Sequence, residues 1–134
     1  TGKNYEAISK PKFGFVSQFI EKMETVYAAA DIIISRAGAI AITELCIVGK
    51  PVILVPSPNV AEDHQTKNAM ALVDVNAALL VKDREAKTDL WMAIEMLIKD
   101  KYLAEEFALN IKKLEKPEAT KKIADEVFKL VQRL

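Results

Sequence analysis

One cysteine and one histidine stand in 134 residues, and each scarcity excludes something. A lone Cys46 cannot close an internal disulfide, and one cysteine with one histidine make a poor zinc site. Charge of either sign is not in excess, since nineteen Lys and Arg balance nineteen Asp and Glu. Nucleic-acid-binding domains usually gather a basic excess on one face, so nothing here points to DNA or RNA. No apolar run approaches the ~20 residues needed to span a bilayer, and the start carries no signal-peptide pattern. Neither G-x-G-x-x-G nor G-x-x-x-x-G-K-[ST] occurs, which leaves nicotinamide cofactors and P-loop nucleotide binding without support. We therefore expect no metal and no cofactor.

What is present describes a packed domain. Hydrophobic residues make up 51% of the chain and charged residues 28%, a balance that supplies a core and a solvated surface and argues against disorder. The length fits a single domain at the usual ~100–200 residues. No internal repeat or low-complexity linker interrupts it. These features predict a soluble, reduced, cytoplasmic α/β domain. The chain opens Thr1-Gly2-Lys3 rather than with Met, which suggests a start that is not native.

Hydrophobic periodicity predicts the elements. Phe13–Val16 is a short apolar run after Pro11 and reads as a buried strand. Phe19, Ile20, Met23, Val26 and Tyr27 recur at three- and four-residue spacing, predicting an amphipathic helix over Lys22–Ala30. Ile32–Ser35 reads as a β-branched strand, Arg36-Ala37-Gly38 as a tight turn, and Ala39–Val48 as a helix stopped by Gly49. Val52–Val55 is the next strand, closed by Pro56 and Pro58. Asp63 is placed to cap a helix over His64–Asp74, with Ala69, Leu72 and Val73 inward. Ala77–Val81 follows as a fourth strand. Helices are expected at Lys87–Lys99, with Leu90, Trp91, Ile94, Leu97 and Ile98 as its apolar positions, then at Tyr102–Leu114 and Glu118–Leu134.

The strands are continuously apolar rather than alternating, as expected when helices cover both faces of a parallel sheet. The fold class is thus α/β, a Rossmann-like parallel sheet with four recognisable strands. In such sheets ligands bind beyond the carboxyl ends of the strands. Attention falls on residues 17–20, 35–38, 56–64 and 82–84.

Three of these regions carry chemistry. Ser35-Arg36-Ala37-Gly38-Ala39 ends a strand and opens a helix, where a glycine admits close approach and the first-turn N–H groups favour a phosphate; an ordinary turn that contains glycine has the same spacing. Glu44 sits among Ile40, Ala41, Ile42, Leu45, Cys46 and Ile47. A carboxylate in so apolar a helix is costly unless it is paired or faces a ligand, and it can accept hydrogen bonds from two vicinal hydroxyls, as a ribose offers. The alternative is a solvated stripe on that helix. Third, Asp63-His64-Gln65-Thr66-Lys67-Asn68 places Gln65 and Asn68 on one helix face, suited either to hydroxyl ligands or to local capping. His64 lacks a visible nucleophile or orienting partner, so catalysis by it has little support. From the residues alone, this is a binding fold for a phosphorylated, hydroxyl-rich ligand.

In combination and in this order, the segments resemble a known family. Its elements are Arg36-Ala37-Gly38-Ala39 with Glu44 six residues after the glycine, Gly49-Lys50-Pro51 leading to a strand and Pro56, and His64-Gln65-x-x-Asn68-Ala69. Thr1–Tyr5 and Val16-x-x-Phe19-Ile20-x-x-Met23 add to them. Together they are similar to the C-terminal, donor-binding half of the bacterial peptidoglycan glycosyltransferases, the undecaprenyl-diphospho-muramoylpentapeptide β-N-acetylglucosaminyltransferases (the MurG family). The resemblance covers nearly the whole chain and weakens over the last three helices.

The resemblance implies a GT-B arrangement of two facing Rossmann-like domains. It implies transfer of N-acetylglucosamine from UDP-N-acetylglucosamine to lipid I, with inversion, giving lipid II at the inner face of the cell membrane. It places Glu44 on the ribose hydroxyls, the backbone near Ile20 on the uracil edge, and Met23 near the nucleoside. Arg36 and the Gly38, Ala39 and Ile40 turn would lie near the nucleotide. His64 and Gln65 would contact the sugar hydroxyls, with Asn68 supporting their loop; relatives commonly carry Gln where this chain has His64. The acceptor domain and the first strand of the donor domain are expected to lie outside these residues, making 1–134 one incomplete donor-binding domain with no catalytic residue, inactive alone. The predicted strands would be the third to sixth of a 3-2-1-4-5-6 sheet. Phe13–Val16 would then pair directly with Ile32–Ser35, or the exposed edge would be covered by self-association. Alternatives are another UDP-sugar enzyme of the same fold, including the separate catalytic subunit of eukaryotic N-glycan assembly, and a non-catalytic Rossmann-like module.

Overall fold

The computed structural model describes residues 14, 16–58 and 63–115. Three strands, Ile33–Ser35 (β1), Val52–Leu54 (β2) and Leu79–Leu80 (β3), form one parallel sheet in the order β1-β2-β3. Ile33 pairs with Val52 and Ser35 with Leu54, and Ile53 pairs with Leu79. This is the order expected for the fourth to sixth strands of a doubly wound sheet. Helices Met23–Ala29 (α1), Ala39–Val48 (α2), His64–Val73 (α3), Ala86–Lys99 (α4) and Lys101–Lys113 (α5) surround it.

Continuous apolar runs become buried strands because both faces of the sheet are covered. Val52, Ile53 and Leu54 are wholly buried, each contributing about 1.5–3 kcal/mol by leaving water. Alternation sends Val52 and Leu54 to one face, against Leu45 and Cys46 of α2, Ala69 and Leu72 of α3, and Ile111 of α5. Ile53 and Val55 go to the other, against Ala93 and Leu97 of α4 and Phe107 of α5. Helix α5 thus serves both faces, with Phe107 on one and Ile111, four residues on, at the other.

Stop signals behave as their chemistry requires. Gly49 takes φ 65 and ψ 41 and donates its N–H to Leu45 O at 3.0 Å, closing α2. Only glycine enters that conformation without strain. The Lys112 ammonium donates to the carbonyl of Ile47 and pairs with Glu115, so α5 seals the same helix end. Asp100 caps α5 by accepting from Leu103 N at 3.0 Å, which starts that helix one residue earlier than its apolar pattern suggests.

Four expectations need correction. The sheet has three strands among the described residues rather than four. Phe13 and Phe15 lie outside them, while Gly14, at φ 92, and Val16 are not in a strand; a left-handed residue inside the run breaks extended geometry. The described residues therefore form no pairing between 13–16 and β1. The outer edge of β1 carries no strand among them, and Ile34 is 45% exposed. Asp63 occupies the cap position of α3 but stands at φ 55 and makes no side-chain cap bond. A 3-10 turn, Asp83–Glu85, precedes α4 and starts it at Ala86. Trp91 and Ile98 remain exposed, because each sits one position past the stripe that buries Ala93 and Leu97 and half-buries Leu90 and Ile94. The expected helix over Glu118–Leu134 lies outside the described residues.

Cys46 is buried against the sheet, and burial, reinforced by the charge of Glu115, pushes its thiol above the usual value. It reads as a packing residue and not a nucleophile. In the folded chain Cys46 should alkylate far more slowly at neutral pH than in denaturant, because the thiolate is the reacting form; equal rates would contradict its burial.

Candidate functional site

The carboxyl ends of the three strands lead into segments joined by side chains from elsewhere. The turn after β1 comes first. Ala37 is fully buried, and two amide side chains one helical turn apart on α3 hold its peptide. Gln65 Oε1 accepts from Ala37 N at 3.2 Å, and Asn68 Nδ2 donates to Ala37 O at 3.2 Å. Gln65 Oε1 also accepts from Ser57 N at 2.9 Å. Two backbone donors converging on one atom identify it as the carbonyl oxygen of the amide. One side chain thus ties the turn after β1, the loop after β2 and the start of α3 together.

Arg36 performs a second tie. Its Nη1 donates to Val55 O at 3.1 Å and Pro56 O at 3.4 Å, and forms an ion pair with Asp83 beyond β3. The guanidinium therefore clips the ends of all three strands. Asp83 was not visible as a partner in the sequence, although 82–84 stood out as a strand-end segment. Both side chains are substantially exposed, so Asp83→Asn should lower stability by no more than about 1 kcal/mol, and less at high salt. A loss well above that in a denaturant titration would show that the clip matters more than an exposed pair can.

Between these ties lies the N-terminus of α2. Gly38 takes the cap position with extended backbone, and a Cβ built there would meet nothing within 4 Å. Packing does not demand glycine here. Its effect is to leave the first-turn N–H groups of α2 unshielded. Ala39 and Ile40 form that first turn, with Ile40 79% exposed.

Glu44 sits further along α2. Among the described residues its carboxylate has one hydrogen-bond partner, Tyr27 of α1, whose hydroxyl donates to Oε2 at 3.3 Å, and no cation reaches it. The two line an open cleft of about 420 Å³ with Met23, Ile47, Val48 and Lys50. Burial, then the charge of Glu44 and its hydrogen bond, raises the Tyr27 phenol above its ordinary 10.0. The phenol thus remains a donor at neutral pH. Sequence reading took Tyr27 for part of an apolar stripe, and half of that is right: the ring packs on the core while the hydroxyl turns to Glu44.

The structure brings the other expected residues together unevenly. Met23 shares the cleft with Glu44, whereas half-buried Ile20 precedes α1 and is not among the cleft's lining residues. Arg36, Gly38, Gln65 and Asn68 gather at the turn after β1. His64 is exposed as the first residue of α3. A further cavity of about 410 Å³ lies beyond β2 and β3, lined in part by Pro56, Thr66, Lys82 and Arg84. Among the described residues no cluster of three or more His, Cys, Asp or Glu side chains could hold a metal, and no helix is long and apolar enough to cross a membrane.

Comparison with known proteins decides the family. The model of the glycosyltransferase family 28 C-terminal domain matches residues 1–127. The chain belongs to this family. Among curated family 28 relatives, a protein of Flavobacterium psychrophilum is 49% identical over 130 residues, covering 97% of this chain and 35% of its own length. One from Bacteroides thetaiotaomicron is 52% identical over 118 residues, 88% of this chain and 32% of its length. Both are named UDP-N-acetylglucosamine--N-acetylmuramyl-(pentapeptide) pyrophosphoryl-undecaprenol N-acetylglucosamine transferase. The crystal structure of Acinetobacter baumannii MurG superposes with a TM-score of 0.71 at 33% identity, covering 87% of this chain and 32% of that one. The chain spans about a third of the length of the family 28 relatives it matches. The α/β, Rossmann-like expectation and the resemblance to the C-terminal part of this family are both borne out.

Proposed function

We propose that this chain is the donor-binding part of an enzyme that transfers N-acetylglucosamine from UDP-N-acetylglucosamine to a lipid-linked muramyl-pentapeptide acceptor, lipid I, yielding lipid II for peptidoglycan. The observation that carries the reading is Glu44, a carboxylate without a cation among the described residues, held by Tyr27 at an open cleft on the helix that begins at Gly38. Six residues of helix place the carboxylate roughly 9 Å along the axis from that turn, a separation a nucleoside diphosphate spans. The names of relatives about half identical to this chain support the same substrates.

In this reading Glu44 accepts the two ribose hydroxyls while Met23 and the backbone at Ile20 border the base. The N–H groups of Gly38, Ala39 and Ile40 face the diphosphate, where the helix dipole favours negative charge. Arg36, its charge offset by the ion pair with Asp83, lies beside that turn with its remaining guanidinium N–H groups. His64 and the Nε2 group of Gln65 meet the sugar hydroxyls, and Asn68 holds the turn from behind. No residue of 1–134 acts as the catalytic base. The acceptor and the membrane face are engaged by the remainder of the enzyme, which works as a peripheral protein on the inner leaflet. Among the described residues no strand covers the outer edge of β1, which supports self-association of the chain when it stands alone.

A hybrid tests this. Residues 1–127 of this chain would replace the matching segment of the Flavobacterium relative, and transfer of labelled N-acetylglucosamine to lipid I would be followed. The expected result is transfer that is lost in the Glu44→Ala hybrid. A hybrid that folds yet shows the same transfer with and without Glu44 would contradict the assignment.

A further inference from the structure

Glu44 is fixed from one side only, and the group that fixes it comes from another helix. Tyr27 and Glu44 are 17 residues apart in sequence. The Tyr27 ring packs against the cluster that contains Leu45, Val52, Leu54 and Ile111, so its hydroxyl has little freedom to wander. That hydroxyl meets Oε2, while Oε1 of Glu44 has no partner among the described residues. A glutamate at an exposed helix position otherwise samples several rotamers, and ordering it on ligand binding costs free energy.

We propose that Tyr27 is a positioning residue for nucleotide recognition: its hydroxyl holds Oε2 of Glu44 so that the carboxylate is already aimed into the cleft when a ribose diol arrives. The inference rests on the donor-binding reading of Glu44 and extends it to a residue of α1. Tyr27 itself touches no ligand in this account. Its effect passes wholly through the carboxylate, and so must disappear when either the diol or the carboxylate is removed.

The test is calorimetric titration of the hybrid described above, residues 1–127 in the frame of the Flavobacterium relative, with UDP and with 2′,3′-dideoxy-UDP, for wild type, Tyr27→Phe, Glu44→Ala and the double variant. Tyr27→Phe keeps the ring that packs on the core, and a thermal melt verifies that the fold is retained. Tyr27→Phe is expected to weaken UDP about three- to tenfold, the effect of one hydrogen bond, and to leave dideoxy-UDP unchanged. In the Glu44→Ala background, Tyr27→Phe should add nothing, since coupled residues are not additive. Equal weakening of both nucleotides would show that Tyr27 serves the cleft as a whole, and no weakening would show that Glu44 needs no such help; either overturns the inference while leaving Glu44 on the ribose. Wild type that fails to bind UDP, or that binds both nucleotides equally, overturns the ribose reading itself and the inference with it.

Discussion

Replacing Glu44 by alanine should weaken binding of UDP-N-acetylglucosamine by roughly 1–3 kcal/mol, the range for losing a charged hydrogen-bond partner. That is about fivefold to more than a hundredfold in affinity. The fold should survive the change. Glu44 is exposed on α2 and its one described contact is a 3.3 Å bond to Tyr27, whereas α2 is held by Leu45 and Cys46 on the opposite side. Alanine also has the higher helix propensity. Affinity should therefore fall while the melting temperature stays near that of wild type. Unchanged donor affinity would exclude Glu44 from the ribose role.

Gln65 presents the reverse case, in which one substitution costs stability before it costs binding. Its Oε1 receives the N–H groups of Ala37 and Ser57, and Ala37 is fully buried. Gln65→Leu keeps similar bulk but leaves both donors without an acceptor. A buried donor stranded in this way costs about 1–3 kcal/mol, so the variant should lose roughly that much in a urea titration, judged by its midpoint. Gln65→Glu still offers an acceptor oxygen to both groups and should recover most of the loss. If Gln65→Leu is as stable as wild type, the loops after β1 and β2 are held by something other than this amide. Donor binding should weaken in Gln65→Leu as well, since the turn that carries Gly38 is no longer fixed.

These two residues also show what was legible in the sequence. Glu44 could be singled out because its neighbours are almost all apolar, a purely local contrast. Gln65 and Asn68 could be placed on one face because three-residue spacing in a helix guarantees it. Both ends of α2 and the starts of β2 and α3 followed from Gly49, from the fully apolar run beginning at Val52, and from the polar first turn beginning at His64, while β2 and α3 each end one residue earlier than expected. Each of these signals lies within one element.

What was missed lies between elements. The Arg36–Asp83 clip joins residues 47 apart, and no periodicity announces it. Tyr27 looked like a core residue because its ring is one; only the placement of α1 beside α2 reveals the use of its hydroxyl. The expected ligand role of Gln65 and its observed clamp illustrate the same limit, because composition cannot say which face of an amide is already occupied. Gly14 and Val16, the two described residues of the strand expected at Phe13–Val16, are not extended partners of β1, and the backbone angle of Gly14 is a property that an apolar neighbourhood masks. Trp91 and Ile98 counted toward an apolar stripe whose width the sheet then set.

The most direct measurement is a calorimetric titration of the hybrid carrying residues 1–127 in the Flavobacterium relative with UDP-N-acetylglucosamine, alongside UDP-glucose and ADP. The account predicts binding of the uridine nucleotides, tightest for UDP-N-acetylglucosamine, with no comparable binding of ADP. A hybrid that melts cooperatively yet binds none of the three, or takes ADP as readily as UDP-N-acetylglucosamine, would contradict it.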